Sequence, residues 1–185
     1  MKKIILIFIM ALGIIVSHAQ KLSINTDVMM LATQTYNLGA EMTIGNRSTL
    51  GLTVFGNHNP YIHKDMKVVG VQPEYRYYFG GRPLYHHFVG VGLLAADYNV
   101  IHKHVRYDGY ALGAGITFGY VFALSNKLAL DAHAGVGLVG NSHTVTRMDG
   151  QEIELNDGSG LTREGFKSWH ILPTKIGISL SYTIW

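Results

Sequence analysis

The run V-V-G-V-Q-P-E-Y-R-Y, residues 68–77, alternates: Val69, Val71, Tyr75 and Tyr77 take one side of an extended chain, Gly70, Gln72, Glu74 and Arg76 the other. A period of two marks a β-strand, whose successive side chains point to opposite faces. The polar side decides the fold. A strand of a soluble lipocalin-like barrel turns its polar row to water and fills it with lysine and glutamate. Here a glycine, an amide, one acid and one base make a row suited to packing.

The same pattern recurs along the chain. Leu38, Ala40, Met42 and Ile44 alternate with Gly39, Glu41 and Thr43. Tyr110, Leu112, Ala114, Ile116, Phe118 and Tyr120 alternate with Ala111, Gly113, Gly115, Thr117 and Gly119. At the end Ile176, Ile178, Leu180, Tyr182 and Ile184 face away from Gly177, Ser179, Ser181 and Thr183. Strands are predicted at 21–31, 37–45, 49–56, 67–79, 85–96, 109–123, 127–140 and 171–184. Their connections alternate in length. Gly45-Asn46-Arg47-Ser48, Gly80-Gly81-Arg82-Pro83 and Ser125-Asn126 are tight, whereas 57–66, 97–108 and 141–170 are long. Only the first outer connection, Thr33 to Tyr36, is unexpectedly short. Short periplasmic turns opposite long outer loops belong to an outer-membrane barrel, of which eight strands is the smallest common size. The expected fold is all-β, an eight-stranded antiparallel up-and-down transmembrane β-barrel with both termini in the periplasm.

The start of the chain fits that address. Lys2 and Lys3 precede a 13-residue apolar run, Ile4 to Val16, and Ser17-His18-Ala19 offers small residues before Gln20. This reads as a cleaved secretory signal, residues 1–19, too short for the roughly 20 residues of a spanning helix. The mature barrel domain is then 20–185, in the cell outer membrane. Without the leader, 13 basic and 12 acidic residues remain, and no basic stripe suggests nucleic acid. The chain has no cysteine, which excludes disulfides and a lipid-modified cysteine at the cleavage site. With 22 glycines, 4 prolines and 11% aromatics the composition suits closely packed strands.

On the polar faces the charges are few and of both signs: Asp27, Glu41, Glu74, Arg76, Asp131 and Lys175, with His133 in the same pattern. Unpaired charges in a narrow lumen are costly. An interior network of ion pairs and hydrogen bonds is expected, closing the barrel rather than lining a pore. Aromatics near strand ends, Tyr77, Tyr78, Phe79, Tyr85, Tyr120, Phe122, Tyr182 and Trp185, fit a headgroup-level belt.

Two resemblances add to this. Lys175-x-Gly177-x-x-Leu180-x-Tyr182 resembles the last-strand assembly signal of bacterial outer-membrane barrels, with Trp185 out of phase; it implies the barrel assembly machinery as a partner during biogenesis. N-L-G-A-E at 37–41, V-Q-P-E-Y-R-Y at 71–77, Y-N-V at 98–100, G-A-G-I-T-F-G-Y at 113–120 and P-T-K-I-G-I-S-L at 173–180 together resemble a Bacteroidota family of small outer-membrane β-barrels. That family is a domain of unknown function, often near fimbrial genes. The resemblance covers residues 21 to 184 except the loop after Gly140, and it implies fold and location but no reaction.

Catalytic and metal chemistry find weaker support. His58, His63, His102, His104, His143 and His170 fall in or beside predicted outer loops, but on three separate loops and with no carboxylate spacing to fix a metal geometry. Asp149, Glu152, Glu154 and Asp157 lack the spacing of a calcium loop. Ser142-His143 offers two of the three groups of a lipid-modifying hydrolase, with no motif for a carboxylate or an oxyanion hole. The reading is a non-enzymatic barrel with no catalytic residue, cofactor or metal. Outer-membrane lipid surrounds it, and its loops serve an envelope partner or envelope integrity. A lipid-modifying hydrolase and a narrow channel are the alternatives.

Overall fold

The computed structural model describes residues 21–60, 65–102, 105–147 and 168–184. Its strands are β1 (Leu22–Asp27), β2 (Tyr36–Thr43), β3 (Ser48–His58), β4 (Met66–Tyr78), β5 (His86–His102), β6 (Val105–Ala123), β7 (Leu128–Arg147) and β8 (Ser168–Thr183). Each pairs antiparallel with its neighbour in sequence, and β8 pairs with β1 to close an eight-stranded barrel. At eight strands the interior is just wide enough for side chains to fill.

The pairing is strongly staggered. Asp27, at the end of β1, shares one hydrogen-bonded row with Ser179, Asp131, Val121 and His86, and His86 opens β5. One row therefore runs from an outer strand end to an inner one, as tilted barrel strands require. Strand length grows from 6 residues in β1 to 20 in β7, so the outer rim climbs around the barrel.

Three boundaries differ from the sequence expectation. Instead of running on to residue 31, β1 gives way to a short helix, α1 (Val28–Ala32). Val28-Met29-Met30-Leu31 has no polar alternation to sustain a half-buried strand, and the Asp27 carboxylate accepts the Met30 N–H at 2.9 Å, capping the helix. The connection 97–108, expected as a long loop, is mostly ladder, with Asp97 opposite Tyr110 and Asn99 opposite Asp108. Likewise β7 runs to Arg147 and β8 begins at Ser168, inside the expected loop 141–170. The leader 1–19, His63, His104, Asp149, Glu152, Glu154, Asp157 and Trp185 lie outside the described residues.

On the inner faces of β5 and β6, glycines stand where other side chains fill the space. A Cβ at Gly90 would stand 2.7 Å from Oε1 of Glu74, and one at Gly119 would strike the Phe88 ring. Gly115 likewise makes room for Thr174. The lumen is filled by large side chains on one wall meeting glycine on the next.

Candidate functional site

The densest chemistry lies in the lower lumen, around Arg76. The alternation of β4 turns Gln72, Glu74, Arg76 and Tyr78 inward, all buried. Arg76 Nη1 donates to Asp131 Oδ2 at 2.7 Å and to Glu41 Oε2 at 3.2 Å, while its Nε donates to Glu74 Oε2 at 3.0 Å. One guanidinium thus joins carboxylates from β2, β4 and β7, the forked geometry that favours arginine over lysine. Its carbon lies 4.3 Å from the centre of the Phe88 ring, so an aromatic face covers the side that no carboxylate reaches.

The other groups extend this centre. Lys175 Nζ donates to Glu74 Oε2 at 2.8 Å. On the far side of Glu41, Thr49 Oγ1 and the Tyr78 hydroxyl both donate to Oε1, at 2.5 and 2.7 Å. His133 sits between two acids, Nε2 at 3.3 Å from Asp27 Oδ2 and Nδ1 at 3.4 Å from Asp131 Oδ1. These are ion-pair distances without the alignment of good hydrogen bonds. Asp27 completes the chain, because the same carboxylate that faces His133 caps α1. A Cβ at Gly177 would strike that carboxylate, so the glycine makes its seat.

Asp27, Glu41, Glu74, Arg76, Asp131, His133 and Lys175 are therefore in one connected set, drawn from β1, β2, β4, β7 and β8. Tyr78 is a correction. Grouped by sequence with the belt aromatics, it is fully buried and packs on Phe88, with ring centroids 5.4 Å apart. Its phase was the available signal, since it follows Arg76 by two residues on the same face. Thr49 and Phe88 also belong to the set and could not be singled out from their strands alone.

Little free space remains. A cavity of about 30 Å³ borders Asp27, Glu41, Glu74, Arg76 and Lys175, and one of about 20 Å³ borders Glu74, Thr117 and Thr174. Both have water-sized room and no more. Oε1 of Glu74 makes no hydrogen bond within the protein, so a water there would satisfy it. Below the charges Tyr78, Phe88 and Val121 form a small apolar cluster toward the tight turns. Among the described residues no group of three histidine or acidic side chains could hold a metal ion. His58 and His170 are exposed, and Ser142 lies opposite Tyr110, while the side chain of His143 is outside the described set.

The outer wall is the reverse of the lumen. Large apolar side chains stand exposed on every strand, among them Ile24, Leu38, Leu52, Val69, Leu93, Ile116, Val136 and Ile176. Along β6 the exposed row runs from Phe122 up to Tyr110 and then turns polar, since Arg106 shares that face two positions beyond Asp108. The twelve residue steps from Phe122 to Tyr110 along a tilted strand cover roughly 30 Å along the barrel axis.

Lumen and wall together define a class: an eight-stranded barrel with an ion-paired interior and an apolar exterior. The chain belongs to the family described as protein of unknown function (DUF3575), whose model matches residues 4–184. No curated protein and no solved structure matches it.

Proposed function

We propose that the protein is a sealed, non-enzymatic barrel of the bacterial outer membrane, exported by a leader removed after Ala19, with its outer rim and loops available to an envelope partner. One observation carries the reading: the two faces of the sheet are inverted relative to a soluble protein. Buried side chains include four acids, Asp27, Glu41, Glu74 and Asp131, together with Arg76, while exposed aliphatics stand on all eight strands. Soluble monomers rarely expose apolar patches beyond a few hundred Å². A closed barrel also leaves no open sheet edge for lipid to meet. The apolar height on β6, roughly 30 Å with aromatics at both ends, suits a bilayer core and its interfaces.

The lumen favours a plug over a conduit. Arg76 and its three carboxylates cross it, and the cavities beside them are water-sized. The last strand supports delivery by the barrel assembly machinery. A Bacteroidota origin and a gene near fimbrial genes belong to the same proposal, and sequencing the gene's neighbourhood tests both.

The test is made on the full chain. The protein is expected to start at Gln20, float with outer membrane, migrate differently before and after boiling, and give no steady current in planar bilayers. Recovery as a soluble periplasmic protein overturns the placement. A stable open current overturns the plug and favours the channel.

A further inference from the structure

Charge is spread unevenly along the barrel. The end with the tight turns carries Lys21 just before β1 and one cation in each connection: Arg47 after β2, Arg82 after β4 and Lys127 after β6. All four are exposed, and none makes a side-chain ion pair or hydrogen bond with another described residue. The connections themselves, 44–47, 79–85 and 124–127, contain no aspartate or glutamate. At the opposite end the signs mix, with Lys67 and Arg106 among Asp65, Asp97 and Asp108.

The cations stand on fixed backbone. The carbonyls of Lys21, Arg47 and Lys127 accept the N–H groups of Thr43, Tyr78 and Thr183 at 2.9, 2.8 and 2.8 Å. Arg82 is held differently, its guanidinium carbon 3.9 Å from the centre of the Tyr85 ring, which stacks on His86. Leu84 and His86 both take left-handed φ, 59° and 61°, so this turn keeps an unfavourable backbone while presenting Arg82. Eight tilted strands give a rim of roughly 50 Å around. Four cations on it stand on the order of 12 Å apart, near the screening length of physiological salt, so their fields overlap.

We propose that this rim gathers anionic phospholipid headgroups in the leaflet that the tight turns face, with Arg82 the best-held contact. The sign of the charge selects the headgroup. A phosphate without an ammonium meets cations and no acid, whereas the ammonium of a zwitterionic headgroup finds no carboxylate there. The neighbouring rings select the source: Phe79, Phe122 and Tyr182 stand about half exposed beside the turns, the level at which aromatic rings meet headgroups. This inference rests on the membrane placement proposed above.

The full chain is reconstituted in nanodiscs of equal phosphatidylglycerol and phosphatidylethanolamine with identical tails, and the lipids it keeps on release are counted by native mass spectrometry. Wild type is expected to keep the glycerol lipid in excess. Arg82→Gln should lower that ratio about two- to fivefold, and a variant with Lys21, Arg47, Arg82 and Lys127 all changed to Gln should bring it near parity. Lys67→Gln with Arg106→Gln, at the mixed end, should leave it nearly unchanged. Equal retention by wild type, or as large a loss from the Lys67 and Arg106 pair as from the four, overturns the inference. So does wild type that shows no lipid preference but sediments with purified peptidoglycan through the same four cations. If the fourfold variant does not fold, Arg82→Gln decides alone, an unchanged ratio overturning the inference. Flotation and heat-modifiable migration read insertion separately. A chain that inserts without discriminating fails this inference alone, and one that never inserts takes the placement down with it.

Discussion

Along β4, neighbouring residues occupy opposite environments. Gln72, Glu74, Arg76 and Tyr78 are buried in a lattice of charge and hydrogen bonds, while Val69 and Tyr75 look outward and are about half exposed. The comparison shows where specificity resides in a barrel this narrow. On the proposed membrane placement the outward positions need only be apolar, whereas each inward side chain must fit a partner on another strand. The inner face is a jigsaw with charges, and the outer face is a coat.

The largest break in that contrast should come from Arg76→Ala. It leaves Glu41, Glu74 and Asp131 without their shared partner, and removing one member of a buried pair costs about 3–5 kcal/mol. Denaturant unfolding in detergent should show that loss, with Arg47→Ala, in an exposed turn, staying within about 0.5 kcal/mol of wild type.

Next is the outer wall. Leu52→Arg places a charge on the half-exposed outward face of β3 and should cost about 2–4 kcal/mol when unfolding is followed from a bilayer. The same substitution would be nearly neutral on a water-facing sheet, so a loss below about 0.5 kcal/mol would remove the lipid from the comparison.

Gly90→Val tests the bare side of the lumen. Its Cβ would stand 2.7 Å from Glu74 Oε1, and overpacking of this kind costs about 1–3 kcal/mol. A more stable Gly90→Val protein, measured by the same unfolding curves, would mean that Glu74 has room to move. The smallest expected effect is that of Tyr78→Phe, about 1 kcal/mol, because Glu41 Oε1 keeps Thr49 as a donor when the Tyr78 hydroxyl is gone.

Much of the architecture was legible because alternation and turn residues report strands directly. Glu74 and Arg76, two apart, had to share a face, and so did Tyr78, whose phase outweighs its place near a strand end. The ends of strands were harder. Beyond Tyr110 and Ala95 the outward positions become Asp108 and Asp97, so the apolar signal stops while the hydrogen-bonded ladder continues. The end of β1 was hidden for another reason, because a cap at Asp27 turns an apolar run into a helix without changing its composition. Which carboxylate meets which cation depends on the stagger of distant strands. Arg76 reaches Asp131, 55 residues away, and Lys175 reaches Glu74 across 101, distances that no local pattern encodes.

The short β1 also bears on the order in which the barrel forms. Every other strand pair joins sequence neighbours, so each can zip from its own hairpin at small entropic cost. The seam is different: five residue pairs, Ser23 to Asp27 against Thr183 to Ser179, must bring together the two ends of the sheet. Non-local pairings of this kind slow folding, because the loop is closed before the contacts repay it. Closing the seam is thus the step that sets the rate of closure, and with 19 pairs between β6 and β7 but only four joining β1 to β2 and five joining it to β8, β1 is the first place the closed ring would open.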